Sequence, residues 1–172
     1  KLPVTFPRTV GQIPIYYNHR NTGRPFDAHD PYTTHYLDCP ITPLYPFGYG
    51  LSYTTFVYDS LRLTKTEISK DESVDVCVNV TNTGNRKGTE VVQLYMRDLV
   101  GDTARPVKEL RGFKRITLQP GETKLVQFTL KPNDFACYDS KMTWRVEPGR
   151  FQVFVGGNSV ATLSKELLVE DK

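Results

Sequence analysis

Val74-Asp-Val-Cys-Val-Asn-Val-Thr81 places a valine at every second position. Side chains alternate across a strand with a period of two, so Val74, Val76, Val78 and Val80 share one buried face. Asp75, Cys77, Asn79 and Thr81 take the other. β-Branched residues also suit a pleated, half-buried surface. Asn82-Thr-Gly-Asn85 then supplies turn chemistry, and Gly88 closes the loop. The alternation returns downstream. Val92, Leu94 and Met96 mark one face of a strand over Thr89–Arg97. Leu110, Phe113, Ile116 and Leu118 mark the next, over Lys108–Leu118, with a bend at Gly112. Gln119-Pro-Gly-Glu122 is a Pro-Gly turn, after which Val126, Phe128 and Leu130 point inward. Pro132–Tyr138 is a short connector with room for one helical turn. Trp144 and Val146 begin a strand that turns at Pro148-Gly149, and the single tryptophan is assigned to the core. Phe151, Val153 and Val155 line its partner, and Leu163, Leu167 and Val169 the last strand. Upstream, Leu61 and Leu63 start the series.

About seven short strands, separated by turn signals and without a helical period, define an immunoglobulin-like or fibronectin-III-like β-sandwich. The fold class is therefore mainly β, with an extended arm before the sandwich. The joint between them is Tyr45-Pro-Phe-Gly-Tyr-Gly-Leu-Ser-Tyr-Thr-Thr-Phe56. Gly48 and Gly50 permit backbone angles closed to other residues, and Pro46 fixes one. Tyr45, Phe47, Tyr49, Leu51, Tyr53 and Phe56 are too many large apolar side chains for a solvated linker. They are the candidates for a domain interface, and the segment is expected to lie extended between two bodies. Before the joint, Leu2–Phe6 reads as one short strand. Gln12–Tyr17 is a second extended piece, placed at an edge by Pro14. Asn18–Pro25 is loop chemistry, and Phe26–Pro43 continues without a period. An unpatterned stretch this long is unusual inside a compact unit. It fits a functional surface loop or a segment that packs on a further domain.

Composition narrows the class. The chain has 172 residues, 38% apolar and 24% charged, which suits a modest sandwich core better than a large α/β enzyme. A net charge of +3 with pI ≈ 8.7, from interspersed charges of both signs, points to no nucleic-acid or membrane partner. No apolar run spans a bilayer. The chain opens on Lys1-Leu-Pro-Val4, with neither an initiator Met nor a signal peptide, and is expected to be an excerpt or processed product of something longer. Cys39, Cys77 and Cys137 match no metal or disulfide framework. Cys77 reads as a plain thiol within its strand, while a Cys39–Cys137 or Cys77–Cys137 bridge stays open.

The search for chemistry finds no active site. His19, His29 and His35 lie near Asp27, Asp30, Asp38 and Cys39, but the spacings match no metal motif. No metal and no cofactor is expected. Glycosidic chemistry needs two carboxylates about 5–10 Å apart. Asp98, Asp102 and Glu109 flank one loop, and Asp134 and Asp139 another, yet nothing around them separates them from rim charges. No nucleophile elbow and no phosphate-binding glycine loop occurs. Asn79-Val-Thr81 fits a glycosylation pattern but lies within a strand. Tyr16, Tyr17, Phe26, Tyr32 and Tyr36 are candidates for a sugar-stacking surface, with packing on a neighbouring domain as the other reading.

Several blocks, in order, resemble glycoside hydrolase family 3. They are Lys1-Leu-Pro-Val-Thr-Phe-Pro-Arg8, Gly11-Gln-Ile-Pro-Ile-Tyr-Tyr17, Asn21-Thr-Gly-Arg-Pro25 and Pro43–Phe56, then Val80–Gly84, Glu90–Tyr95, Arg105–Phe113, Leu118–Thr123 and Glu147–Gly149. The resemblance is to the carboxy-terminal part of that family, of the periplasmic β-glucosidase type, and covers essentially the whole chain. It implies a parent with a (β/α)8-type barrel, an α/β sandwich domain and a fibronectin-III-like domain. Such enzymes release glucose from non-reducing ends of β-glucosides with retention, using an Asp from the barrel and a Glu from the second domain, without a metal. Neither motif occurs here, so no catalytic residue is carried over and the substrate-binding residues are unknown. Residues 1–55 would be the end of the α/β sandwich domain and a linker arm, and residues 56–172 the fibronectin-III-like domain. The implied partners are the upstream domains and a β-glucoside, in a periplasmic or secreted setting. Arg20, Arg24 and Tyr32 are the arm residues suggested for an active-site rim. From the residues alone, a non-catalytic carbohydrate-binding or surface-adhesion module is the alternative.

Overall fold

The valine segment becomes the central strand of a three-stranded antiparallel sheet. The computed structural model describes residues 1–171. Its strands are β1 (Phe56–Leu63), β2 (Glu67–Ser69), β3 (Val74–Asn82), β4 (Gly88–Asp98), β5 (Glu109–Leu118), β6 (Thr123–Leu130), β7 (Ala136–Tyr138), β8 (Trp144–Val146), β9 (Gly149–Gly156) and β10 (Ser164–Glu170). One helical turn, α1 (Pro132–Phe135), precedes β7. The smaller sheet runs β1-β3-β6 and the larger β2-β10-β9-β4-β5, while β7 and β8 form a separate hairpin. All pairings are antiparallel except β2 with β10. The two sheets close on one core, in which the four alternating valines of β3 join Val92, Leu94 and Met96 of β4 and Phe151, Val153 and Val155 of β9. This is the expected two-layer sandwich.

The three-residue strands β2 and β7 are not among those expected from the sequence, because neither carries an alternating pattern, whereas β8, equally short, is. Two side chains also depart from the sequence reading. Phe113 is 68% exposed rather than inward. It lies three positions from Ile116, an odd separation, so the two point to opposite faces unless a bulge lies between them. The irregularity in β5 falls earlier, opposite Leu94/Tyr95, where Gly112 and Leu110 are the successive partners. Gly112 is therefore at a bend, as expected, and a Cβ there would lie 3.2 Å from Phe128 of the facing sheet. Trp144 is 50% exposed rather than a core residue. It stands on the β7–β8 hairpin, outside both sheets, while Phe135 and Phe151, edge to face at 5.2 Å, fill the core nearby. All three cysteines are free thiols.

The arm is bound to itself before it is bound to the sandwich. Leu2–Phe6 does not form a regular strand but pairs irregularly with the joint. Leu2 N donates to Tyr49 O (2.7 Å), Gly48 N to Leu2 O (2.8 Å), and Phe6 N to Tyr45 O (2.9 Å). A 3-10 turn at Val10–Gln12 begins the piece read as extended, Gln12–Tyr17. Gln12 is 1% exposed. It accepts from Arg8 N (2.5 Å) and donates to Pro40 O (2.9 Å). This one amide ties the start of the arm to its unpatterned middle.

Candidate functional site: the arm-bearing face of the larger sheet

Alternation along β4 sends Gln93 and Tyr95 to the face opposite the core, yet both are buried. The arm covers them. Gln93 Nε2 donates to Gly157 O (2.7 Å) and Gly48 O (3.2 Å), and Tyr95 Oη donates to Gln93 Oε1 (2.5 Å). Gly48 has φ +77°, and a Cβ there would fall 2.0 Å from Gln93 Oε1, so a left-handed turn and a close approach both demand glycine. Gly50 has no positive φ. Its constraint is space, since a Cβ would meet Lys1 Cδ at 3.0 Å.

Tyr17 is held between two rings, stacked on Phe47 at 4.4 Å and edge-on to Tyr95 at 5.8 Å. Backbone bonds flank this stack, from Ser159 N to Phe47 O (2.9 Å) and from Val107 N to His19 O (2.8 Å). Burial, with Tyr17 adding to it, pushes the Tyr95 phenol well above its ordinary range. Lys108 Nζ donates to Ser159 O and Ala161 O, both at 2.9 Å, and sits 4.0 Å from the Phe154 ring centroid. Carbonyls and ring face favour the ammonium. Burial outweighs them and, with Arg97, lowers its pKa to about 8. At the end of the sheet, Lys1 Nζ reaches Glu90 Oε1 at 2.8 Å. Tyr58 Oη lies buried beside this pair. Burial first, then the Glu90 charge, raises that phenol's pKa.

A cleft of about 610 Å³ separates arm and sandwich. Tyr16, Tyr17, Phe26 and Tyr36, four of the five rings singled out from sequence, line it together with His19 and Lys108. Tyr32 does not, and is 80% exposed. The six joint residues are placed differently. Phe47 stacks on Tyr17, Tyr45 stacks on Tyr49 at 5.1 Å, and Phe56 packs on the core as the first residue of β1. Leu51 and Tyr53 are 90% and 92% exposed. Of the three rim residues suggested from sequence, Arg20 meets the sandwich through a bridge to Pro106.

The carboxylates weighed for glycosidic chemistry have local partners. Asp134 accepts from Lys131 N (2.7 Å). Asp139 takes two backbone N–H groups and Arg145, and the first of these, from Thr143, leads the lowering of its pKa. Glu109 accepts from Arg111 (3.0 Å), and Asp102 lies 3.8 Å from Arg145. Asp98 is buried, which raises its pKa against the opposing pull of Arg105. The ring nitrogens of His19 and His35 meet backbone oxygens of Arg20 and Thr33. No group of three or more His, Cys, Asp or Glu side chains suited to a metal ion occurs among the described residues. Sequence reasoning missed Gln12, Gln93, Tyr95 and Lys108. A polar residue on a strand's outward face gives no sign that a distant arm will cover it.

A two-sheet sandwich of this topology, with an arm docked on its larger sheet, belongs to a defined class. Residues 90–159 match the family model for the fibronectin type III-like domain, Fn3-like. The similarity of the whole chain is more specific. It is 48% identical over 161 residues to the periplasmic β-glucosidase of Salmonella typhimurium, covering 92% of this chain and 21% of that protein. It is 45% identical to a β-xylosidase of Formosa agariphila, covering 94% of this chain and 22% of that protein. The crystal structure of the Listeria innocua β-glucosidase in complex with glucose superposes with a TM-score of 0.89 at 42% identity, over 96% of this chain and 23% of that one. Nearly the whole chain is thus similar to part of glycosidases named β-glucosidase or β-xylosidase, and it spans about a fifth of the length of the curated relatives it matches.

Proposed function

We propose that this segment is the non-catalytic brace of a retaining, exo-acting β-glucosidase that removes terminal non-reducing β-D-glucosyl residues. In this reading residues 1–55 are the end of an α/β sandwich domain and its linker arm. Residues 56–172 are the fibronectin-III-like domain that clamps the arm, and the reacting carboxylates belong to upstream domains. One observation carries the reading. The arm is fixed on one side by Gln93, Tyr95 and Tyr17, and on the other presents Leu37, Leu51 and Tyr53, all at least 90% exposed. Side chains of this size gain roughly 1.5–3 kcal/mol each on burial, so their exposure fits a surface that upstream domains of the same polypeptide cover. The partners are those domains and, for the parent, a β-glucoside. The setting is periplasmic or secreted, as the name of the Salmonella relative suggests. No metal or cofactor enters the reaction as proposed.

The test compares three proteins for hydrolysis of an aryl β-glucoside: the parent polypeptide, the parent lacking residues 1–172, and this chain alone. The parent is expected to turn over substrate, the truncated parent to lose activity and melt earlier, and the chain alone to be inert. Turnover by the repurified chain, or an unaffected truncated parent, overturns the reading. The ring-lined cleft favours a second reading, a carbohydrate-binding module using Tyr16, Phe26 and Tyr36. Saturable oligosaccharide binding that is lost on replacing these rings would support it.

A further inference from the structure

Trp144 lines an open cleft of about 420 Å³ on the sandwich, to which Arg20 of the arm also contributes. Its indole N–H donates to Asn133 Oδ1 at 2.9 Å, and Tyr138 meets the ring edge-on at 5.0 Å. The indole is therefore fixed in orientation while about half of it stays exposed, as does Tyr138. Arg105, Glu109 and Arg111 line the same cleft. Glu109 Oε2 accepts from Arg111 Nη2 at 3.0 Å. Arg105 Nη1 and Arg111 Nε are buried and have no hydrogen-bond partner within the protein, although the Arg105 side chain is only 10% exposed.

An exposed, oriented aromatic face beside planar guanidinium donors and a carboxylate acceptor matches one ligand chemistry well. The C–H face of a pyranose ring stacks on an indole, and its hydroxyls pair with donors and acceptors at the edge. An anion fits less well, because Glu109 and Asp139 also line the cleft. We propose that this cleft is a non-catalytic subsite for a neutral oligosaccharide, with Trp144 as the stacking platform and Arg111 and Glu109 as hydroxyl partners. Choosing β-1,4-linked glucose and xylose oligomers as probes rests on the proposed function, whereas the platform and its polar edge do not.

Trp144 is the chain's one tryptophan, so its emission reports on this cleft. Cellopentaose and xylopentaose are titrated into the 172-residue chain, with calorimetry in parallel. At least one is expected to shift the emission saturably, with a Kd on the order of 0.1–1 mM. Trp144→Ala should abolish the calorimetric signal. Arg111→Met should weaken binding about tenfold, roughly the change expected from losing one charge-assisted hydrogen bond. Leu125→Ser, an exposed position on β6 of the smaller sheet, should leave the affinity unchanged. Melting curves establish that each variant is folded, and Tyr138→Ala replaces Trp144→Ala if the latter is not. No saturable signal from either sugar up to about 10 mM, or affinity retained in both Arg111→Met and a folded platform variant, overturns the proposal. Hydrolysis by the parent enzyme is indifferent to both results, so the two readings fail separately.

Discussion

The two faces of β4 are both buried, by opposite means. On the inner face Val92, Leu94 and Met96 meet other aliphatic side chains in the sandwich core. On the outer face Gln93 and Tyr95 are equally closed to solvent, but Gln93 is hydrogen-bonded to Gly48 of the arm and Gly157 of the β9–β10 connection, and Tyr95 to Gln93 beneath the Tyr17 ring. Apolar packing is non-directional and tolerates exchange of shape. Hydrogen-bonded burial is specific, and loses most when one partner is removed. The inner face therefore sets whether the domain folds, and the outer face sets where the arm lies.

That contrast predicts a graded series. Phe151→Ala, which empties the space against Phe135, should lower the unfolding free energy by about 3–5 kcal/mol, read as a shifted denaturant midpoint for the whole chain. Gln93→Ala strips the donor from Gly48 O and Gly157 O and should cost about 1–3 kcal/mol. Its signature is faster proteolysis within residues 18–43 with the sandwich still folded. If the midpoint falls as far as in Phe151→Ala and the arm stays protected until the sandwich melts, the two faces are one cooperative unit and the distinction fails. Gly48→Ala should loosen the same arm by roughly 1–2 kcal/mol, and pairing it with Gln93→Ala should be less than additive.

Lys108 gives a pH test of the arm-bearing face. Its pKa falls from 10.5 to about 8 in the folded chain, so between those values the unfolded chain holds a proton that the native one has lost. Stability should therefore rise with pH from about 8 upward, and Lys108→Met should flatten that rise in thermal melts. A rise of the same slope in the variant would mean that another group is responsible. The smallest effect is expected at Tyr53, 92% exposed. Tyr53→Ser should change the stability of this chain by no more than about 0.5 kcal/mol. In the parent polypeptide the same change should be larger, because the proposed brace buries that ring.

Most of the sandwich was legible because strand alternation is a local signal. Val74–Val80, Val92–Met96 and Phe151–Val155 each declare their buried face in five to seven residues of their own sequence. The errors fell where local pattern was insufficient. Phe113 was misplaced by grouping it with Ile116, three positions away and so on the other face, and Trp144 by assuming that a lone tryptophan must be interior. The candidate site was half legible. The rings that line the arm cleft could be named as a set, but Gln93, Tyr95 and Lys108 could not be joined to them.

The sequence by itself determined a two-layer β body, its turns, the identity of most core residues and the aromatic character of the arm. Only the tertiary structure decided which face of the larger sheet the arm covers and which outward-facing polar groups become buried. It also decided that Trp144 and two incompletely bonded arginines line one open cleft. The reason is range. Alternation and turn chemistry act between residues a few positions apart, whereas the arm contacts join distant residues, 45 positions apart for Gly48 with Gln93 and 93 for Tyr17 with Leu110.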